Sequence, residues 1–423
     1  MSRAQLQPEP ELAATPAVNL LYICEFPPCN YHGGAILMHR LLENYPPDRI
    51  IVFTSRRGLQ TSRVSDRLTC RHVAFPIAGG SRGLWLSRAK QLINWAVLVW
   101  ISLVAVLTIK RCRIGVILAV LQGWFCFAAA AVGRFTGTPY VMVVHDDFIC
   151  RRTWFSRHIL KPLTGVVLRR ATHIYVVSPA MQRLILREFG SHSEVQWPAT
   201  GACRNSERSR PHPNNDDGPV ILFAGGLNHA VDDCIDLLAT LIGNEKLREY
   251  GIPRIRFHFH TNVTKEERRA HGWDHPDILN LGWVTQADVP KLLGSADILF
   301  LPYSFREGSR HMVETAFPSK TADYLAAGKP ILVVGPPYST LVQYASEEGF
   351  AEVVTELNVD MLAQAIQRII LFPDHAAMLA ARALDVFCRN HDIERQRRDF
   401  HTLLQMTVSG NRSRRAGAGL RPC

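Results

Sequence analysis

Short apolar runs rich in β-branched residues recur along the chain, most of them separated by stretches with helical spacing. NLLYICEF (19–26), IIVFTS (50–55), IGVILAV (114–120), YVMVVH (140–145) and HIYVVS (173–178) have strand length. Between the first two, Ala35–Asn44 carries Ile36, Leu37, Arg40 and Leu41 at helical spacing. Continuous apolar strands alternating with helices predict parallel strands covered on both faces. Residues 197–219 break the pattern: they are rich in Pro, Asn, Ser and charge, with almost nothing to build a core, and read as a linker. The alternation then restarts with VILFAGG (220–226). It continues through a helix at 230–242, strands at 254–260 and 277–283, a helix at 286–294 and a strand at 297–303. A helix at 319–327, a strand at 330–335 and helices at 359–371 and near 375–406 complete it. The pattern predicts an α/β protein of two Rossmann-like, doubly wound parallel-sheet domains facing a cleft. Ligands in such sheets sit at the carboxyl ends of the strands, where strand order reverses.

The length, 423 residues, allows two or three domains, and 47% hydrophobic with 20% charged residues excludes a disordered or collagen-like chain. The charge is unevenly spread. Residues 1–200 hold 23 Lys/Arg against 10 Asp/Glu, a net +13, whereas 201–423 hold 25 against 27, a net −2. A first half this basic predicts an anionic partner. No helix-turn-helix, zinc or base-stacking motif accompanies the charge, so nucleic acid is not the expected partner and an acidic membrane surface is. Ten scattered cysteines lack metal or redox spacing, and the polar, acidic start MSRAQLQPEPELAATP has no apolar signal core. A reducing, cytoplasmic location with free thiols is expected.

Candidate chemistry concentrates at strand ends. In 296–337 a strand ends at Leu301-Pro302, an irregular loop follows, and a helix opens near Pro318-Ser319-Lys320 and carries Asp323. A helix N-terminus attracts anions, and Lys320 in the first turn, unfavourable for the helix itself, suits an anionic ligand. Asp323, one turn on, is spaced to meet a ribose diol. Locally, Ser319 also reads as a simple N-cap and Asp323 as a solvated first-turn acid. Gly225-Gly226 follow one strand, and Gly33-Gly34 open a helix after another, where glycine lets backbone approach a phosphate. His145 ends the strand 140–145, where an imidazole suits proton handling or a hydrogen bond to a sugar hydroxyl, or caps the next helix. Asp146 and Asp147 beside it have no further ligands clustered near them in sequence, and no metal site is expected.

The stretch YLAAGKP (324–330), with Asp323 before it, resembles the nucleotide-sugar site of family-4-type retaining glycosyltransferases, which have the GT-B fold. Their usual pattern is a Glu, seven residues, a second Glu and a Leu-Ala-Ala-Gly-x-Pro turn. Asp323 stands at the second Glu, the ribose ligand, and Thr315 at the first, with Glu314 beside it. The chain is similar to the subgroup with Phe-Pro-Ser-Lys (317–320) in this loop. There, Ser319, Lys320 and backbone N–H groups would hold the diphosphate. The family's Arg and Lys after the donor-domain glycines are absent from Gly226-Leu227-Asn228-His229. The resemblance implies an acceptor domain at 18–197, a linker at 198–218 and a nucleotide-sugar domain at 219–385. A helix at 386–406 would pack back on the first domain, ahead of a disordered tail at 407–423. It further implies phosphate contacts at Gly33, Gly34, Gly225 and Gly226, a sugar contact at His145, and metal-independent transfer with retention. No cofactor is expected beyond the nucleotide-sugar donor, and the acceptor would be a glycan or lipid-linked precursor. Another GT-B activity, such as sugar-nucleotide epimerisation, and a donor-blind membrane scaffold are the alternative readings.

Leu92–Ile109 is 18 uncharged residues between Lys90 and Lys110-Arg111, about 27 Å as a helix. A single span would put the strands before and after it on opposite sides of a bilayer. Two readings survive: a helix buried in the domain, or one whose outer face, with Trp95 and Trp100, dips into the membrane surface on the inner, cytoplasmic side.

Overall fold

The structure is a computed structural model and describes residues 17–30, 33–77, 88–146, 156–201, 218–226, 230–261 and 263–418. The start of the chain, the middle of the expected linker, His32, Asp147 and Leu227-Asn228-His229 lie outside the described residues.

In the first domain the strands are β1 (Leu20–Ile23), β2 (Ile50–Ser55), β3 (Arg71–Phe75), β4 (Val116–Val120), β5 (Tyr140–Val144), β6 (His173–Val176) and β7 (Glu194–Val195). They pair in the order β3-β2-β1-β4-β5-β6-β7, all parallel. The helices between them are α1 (Gly33–Leu42), α2 (Arg56–Thr61), α3 (Arg88–Cys112), α4 (Phe125–Thr136), α5 (Lys161–Arg170) and α6 (Pro179–Phe189). Strand order reverses beside β1, where Leu20 pairs with Ile50 on one side and Val116 on the other.

Every residue of β1, β4 and β5 is buried, which is why their sequences are continuously apolar. Alternate side chains serve two cores. Leu21, Ile23, Ile117, Ala119 and Met142 pack with α3, α4, α5 and α6. Leu20, Tyr22, Leu118 and Val143 face the other way, against Leu37 and Met38 of α1.

The second domain repeats the plan with β8 (Val220–Ala224), β9 (Arg256–His260), β10 (Ile278–Asn280), β11 (Ile298–Pro302), β12 (Ile331–Val334) and β13 (Ala351–Val354). They form a parallel sheet in the order β10-β9-β8-β11-β12-β13. Its helices are α7 (Asp232–Gly243), α8 (Lys265–Ala270), α9 (Val289–Gly294), α10 (Arg310–Thr315), α11 (Lys320–Ala326), α12 (Thr340–Glu348), α13 (Val359–Leu371) and α14 (Pro373–Val386). One core, from Ile221 to Phe387, fills this domain.

The chain then returns to the first domain. Helix α15 (Ile393–Ala418) buries Phe400, Leu404 and Val408 in the core beneath Tyr22 and Leu118. The expected disordered tail from residue 407 is instead helical as far as Ala418. Val408 packs where a Cβ on Gly115 would lie 3.1 Å from it, and the Asn411 amide donates to the Gly137 carbonyl at 3.1 Å. Outgoing and returning segments cross side by side. Thr200 donates its N–H to His391 O (3.0 Å) and accepts from Ile393 N (3.3 Å). Buried His391 donates from Nδ1 to Pro198 O at 2.6 Å.

Candidate active site

A cavity of about 580 Å³ opens between the carboxyl ends of the two sheets. Its second-domain wall is built at the switch point between β8 and β11, from Gly225, Gly226, Tyr303, Ser319, Lys320 and Asp323. Arg40 of α1 and Asp146 after β5 face it from the first domain.

Lys320 opens α11, and its amine lies 3.9 Å from the centre of the Phe223 ring, over the aromatic face. Only glycine fits opposite it. Gly225 has φ +148°, and a Cβ there would come within 2.5 Å of the Lys320 Nζ. The loss of water around the amine pulls its pKa down to about 7. The amine has no hydrogen bond or ion pair among the described residues, so it presents the cavity with a cation whose natural complement is an anionic ligand. Gly225 donates its own N–H to the His260 carbonyl at 3.2 Å, which holds this strand end in place beside the cavity. Helix α11 is anchored to the strand end because Ala224 N–H donates to the Tyr324 hydroxyl at 2.9 Å. Ser319 precedes the helix without any side-chain capping bond, so its hydroxyl lines the cavity instead of closing the helix.

Asp323 is not a solvated acid. Arg40 reaches across the cleft to it at 3.0 Å, with a second, longer contact of 3.4 Å to the other oxygen. The same guanidinium donates to Ala199 O at 2.7 Å, tying α1, the linker and α11 together. Thr315 and Glu314 stand apart from this group. Thr315 is buried and accepts on its carbonyl from Ser178 of the first domain (2.5 Å), while Glu314 pairs with Arg310 at 3.1 Å.

His145, at the end of β5, meets the N-terminus of α1. A Cβ on Gly34 would lie 2.8 Å from its ring, so the second glycine of the pair is what lets imidazole and helix end touch. Nε2 is buried without a partner, and burial pulls the imidazole down to about 4, leaving it neutral at physiological pH. It can hydrogen-bond a sugar hydroxyl but cannot offer a positive charge. Among the described residues, no group of His, Cys, Asp or Glu is arranged to hold a metal ion.

The structure therefore brings Lys320, Asp323, Ser319, Gly225 and Gly226 to one cavity, whereas His145 and Gly34 pack on each other at the end of β5, outside its lining. Arg40, His260 and Trp283, which the sequence does not single out, share the cavity wall. Trp283 is half exposed at the end of the expected strand 277–283, and no motif marks it.

The sequence itself matches two family models, "Glycosyl transferase 4-like domain" over residues 33–196 and "Glycosyl transferases group 1" over 218–371. Their junction falls in the linker; the second model takes the whole second sheet, and the first takes the first sheet from β2 onward. The chain carries the two halves of a GT-B glycosyltransferase. Solved structures agree on the fold of this glycosyltransferase. Anabaena HepE, crystallised with UDP and glucose, superposes with a TM-score of 0.63 at 15% identity, covering 92% of this chain and 99% of that one. Sucrose-phosphate synthase from Thermosynechococcus elongatus gives 0.62 at 13%, covering 93% and 100%. Trehalose 6-phosphate synthase from Burkholderia multivorans gives 0.63 at 9%, covering 96% and 99%. Among curated proteins none matches the glycosyltransferase chain.

Proposed function

We propose that this glycosyltransferase moves a sugar from a nucleoside diphosphate sugar to a glycan or lipid-linked acceptor. One observation carries the reading: the Lys320 amine, perched on Phe223 beside Gly225, faces the cavity without a counter-charge. A diphosphate supplies that charge. Asp323, one turn along α11, then meets the ribose, and Trp283 and His260 border the space left for the base. The similarity to HepE, whose complexes contain UDP-glucose, supports this donor class.

His145 would touch the sugar from the first domain, and Gly33-Gly34 at the start of α1 would approach the phosphates. Lys320 and Arg40 would supply the positive charge that stabilises the departing diphosphate, so transfer is expected to proceed without a metal ion. The family resemblance implies retention at the anomeric carbon, with the leaving phosphate helping to deprotonate the acceptor. The reaction belongs to the cytoplasm on this reading, consistent with free thiols at all seven described cysteines.

Calorimetric titration with nucleoside diphosphates tests the donor site. Lys320→Ala should weaken binding by ~1.5–3 kcal/mol, the scale of a charged hydrogen bond. At pH 8 the free amine is largely neutral, so diphosphate binding should take up a proton. The binding enthalpy should then vary with the buffer's ionisation enthalpy, and Lys320→Ala should abolish that variation. Unchanged affinity in the variant overturns the assignment. Product analysis with nucleotide sugars separates transfer from epimerisation.

A further inference from the structure

Helix α3 has two faces of the same character. Asn94, Leu98, Ile101 and Ala105 are buried against the sheet, yet Ile93, Val99, Leu103 and Leu107 stand 53–61% exposed along the other side. Of the twenty residues Ile93–Cys112, only six are buried. A soluble helix presents polar residues outward, and a continuous apolar stripe marks a surface that is covered in use. The stripe, from Ile93 to Leu107, is about 21 Å long at helical rise.

This helix cannot cross a bilayer. Strand β1 precedes it in the chain and β4 follows it, and the two pair in register from Leu20↔Val116 to Ile23↔Ala119. Both ends of α3 are therefore on one side, and the helix lies along whatever covers it.

The charge around the stripe says what that cover is. From Arg88 to His145 the sequence contains no Asp or Glu. The helices α3, α4 and α5 form one layer, and all three end at the same edge of the domain, each just before its strand. There Lys110, Arg111, Arg113, Arg134, Arg169 and Arg170 are exposed, with Phe135 standing 82% exposed among them. Cations at helix C-termini complement the helix dipoles in any protein, but that accounts for neither the stripe nor Phe135. Apolar side chains bounded by cations without acids fit an anionic lipid surface.

We infer that the α3–α4–α5 face of the first domain rests on an anionic membrane, with α3 lying in the interface. The helix runs from the cleft end of the domain to the opposite edge. Trp95 near its start packs edge-on at 5.4 Å against Trp124, just after β4, while its last residue, Cys112, accepts on its carbonyl from Asn19 ahead of β1 (2.8 Å). A lipid-borne acceptor moving in that surface would thus meet the cleft at the start of α3, which deepens, and rests on, the glycosyltransferase reading above.

Co-sedimentation of the full chain with phosphatidylcholine vesicles, with and without phosphatidylglycerol, tests the inference. The protein should bind the mixed vesicles, less at high salt but still measurably, and bind neutral vesicles poorly. Leu103→Ser with Leu107→Ser should lower partitioning roughly tenfold to a hundredfold with an unchanged melting temperature, because both side chains are already outside the core. Should that pair unfold the domain, Lys110→Glu with Arg111→Glu carries the test, and should abolish the preference for anionic vesicles. A folded wild-type protein that ignores anionic vesicles at low salt overturns the inference. So does a dimer in sedimentation equilibrium that Leu103→Ser/Leu107→Ser converts to monomer, since a second copy would then be the cover. Nucleoside diphosphate binding, measured on the same samples, distinguishes the failures: intact nucleotide binding without vesicle binding removes the membrane face alone, and the reverse removes the donor site alone.

Discussion

Glu25 follows β1, fully buried, with neither carboxylate oxygen partnered among the described residues. Burial lifts its pKa to about 7, and the Arg57 charge offsets only part of that. The folded protein therefore holds this proton more tightly than the unfolded chain does. A raised carboxylate pKa gives stability that is present below about pH 4.5 and lost as pH climbs through 7. The loss amounts to roughly 3 kcal/mol across that interval. Denaturant unfolding at pH 4.5 and pH 8 should show the drop, and Glu25→Gln should flatten it. An unaltered slope in Glu25→Gln would assign the pH dependence to another group. The contrast with Lys320 is instructive. Both are ionisable groups denied partners by the fold, but Lys320 faces a cavity that an anion can enter, whereas Glu25 does not line it.

Helix α15 shows most clearly what sequence could and could not reveal about the elements. The strands β1, β4, β5, β8, β11 and β12 are legible because both their faces are covered and their apolar runs are continuous. Two of the edge strands are not: β3 reads RHVAF and β13 reads AEVV, each only partly buried and without a clean run. The tail after residue 406 looked solvated because Ser, Gly, Asn and Arg dominate it. Its partners, Gly115 and Gly137, come from the far end of the sequence. Lys320, Asp323 and His145 were legible for a local reason, since each sits at a strand or helix end whose turn chemistry is written beside it. Arg40 was not, because on α1 it is one more cation at helical spacing until the second domain brings Asp323 to it. Phe400→Ala should cost about 3–5 kcal/mol and Leu404→Ala about 2–5 kcal/mol, both read as a loss of first-domain stability in denaturant melts. A cost near zero would mean that α15 only brushes the sheet.

The two domains meet through a salt bridge, a pair of crossing segments and an aromatic cluster, in which Trp197 lies 4.8 Å from Phe317 and 4.5 Å from Tyr344. The Arg40–Asp323 pair is the part of this interface that a ligand can contest, because a ribose bound to Asp323 must share it with the guanidinium. A double-mutant cycle of Arg40→Ala and Asp323→Ala on unfolding should give a coupling of about 1–3 kcal/mol. Saturating nucleoside diphosphate should shrink that coupling, and a coupling indifferent to nucleotide would separate Asp323 from the ribose. The crossing at Thr200 and His391 also bears on how the molecule comes into being. Synthesis delivers the whole first sheet early, yet the face carrying Tyr22 and Leu118 has no complete cover until Phe400, Leu404 and Val408 emerge. The domain that is made first is thus finished last. While the second domain is being translated, a bare apolar surface waits on the nascent chain, and the cell must shelter it from its neighbours.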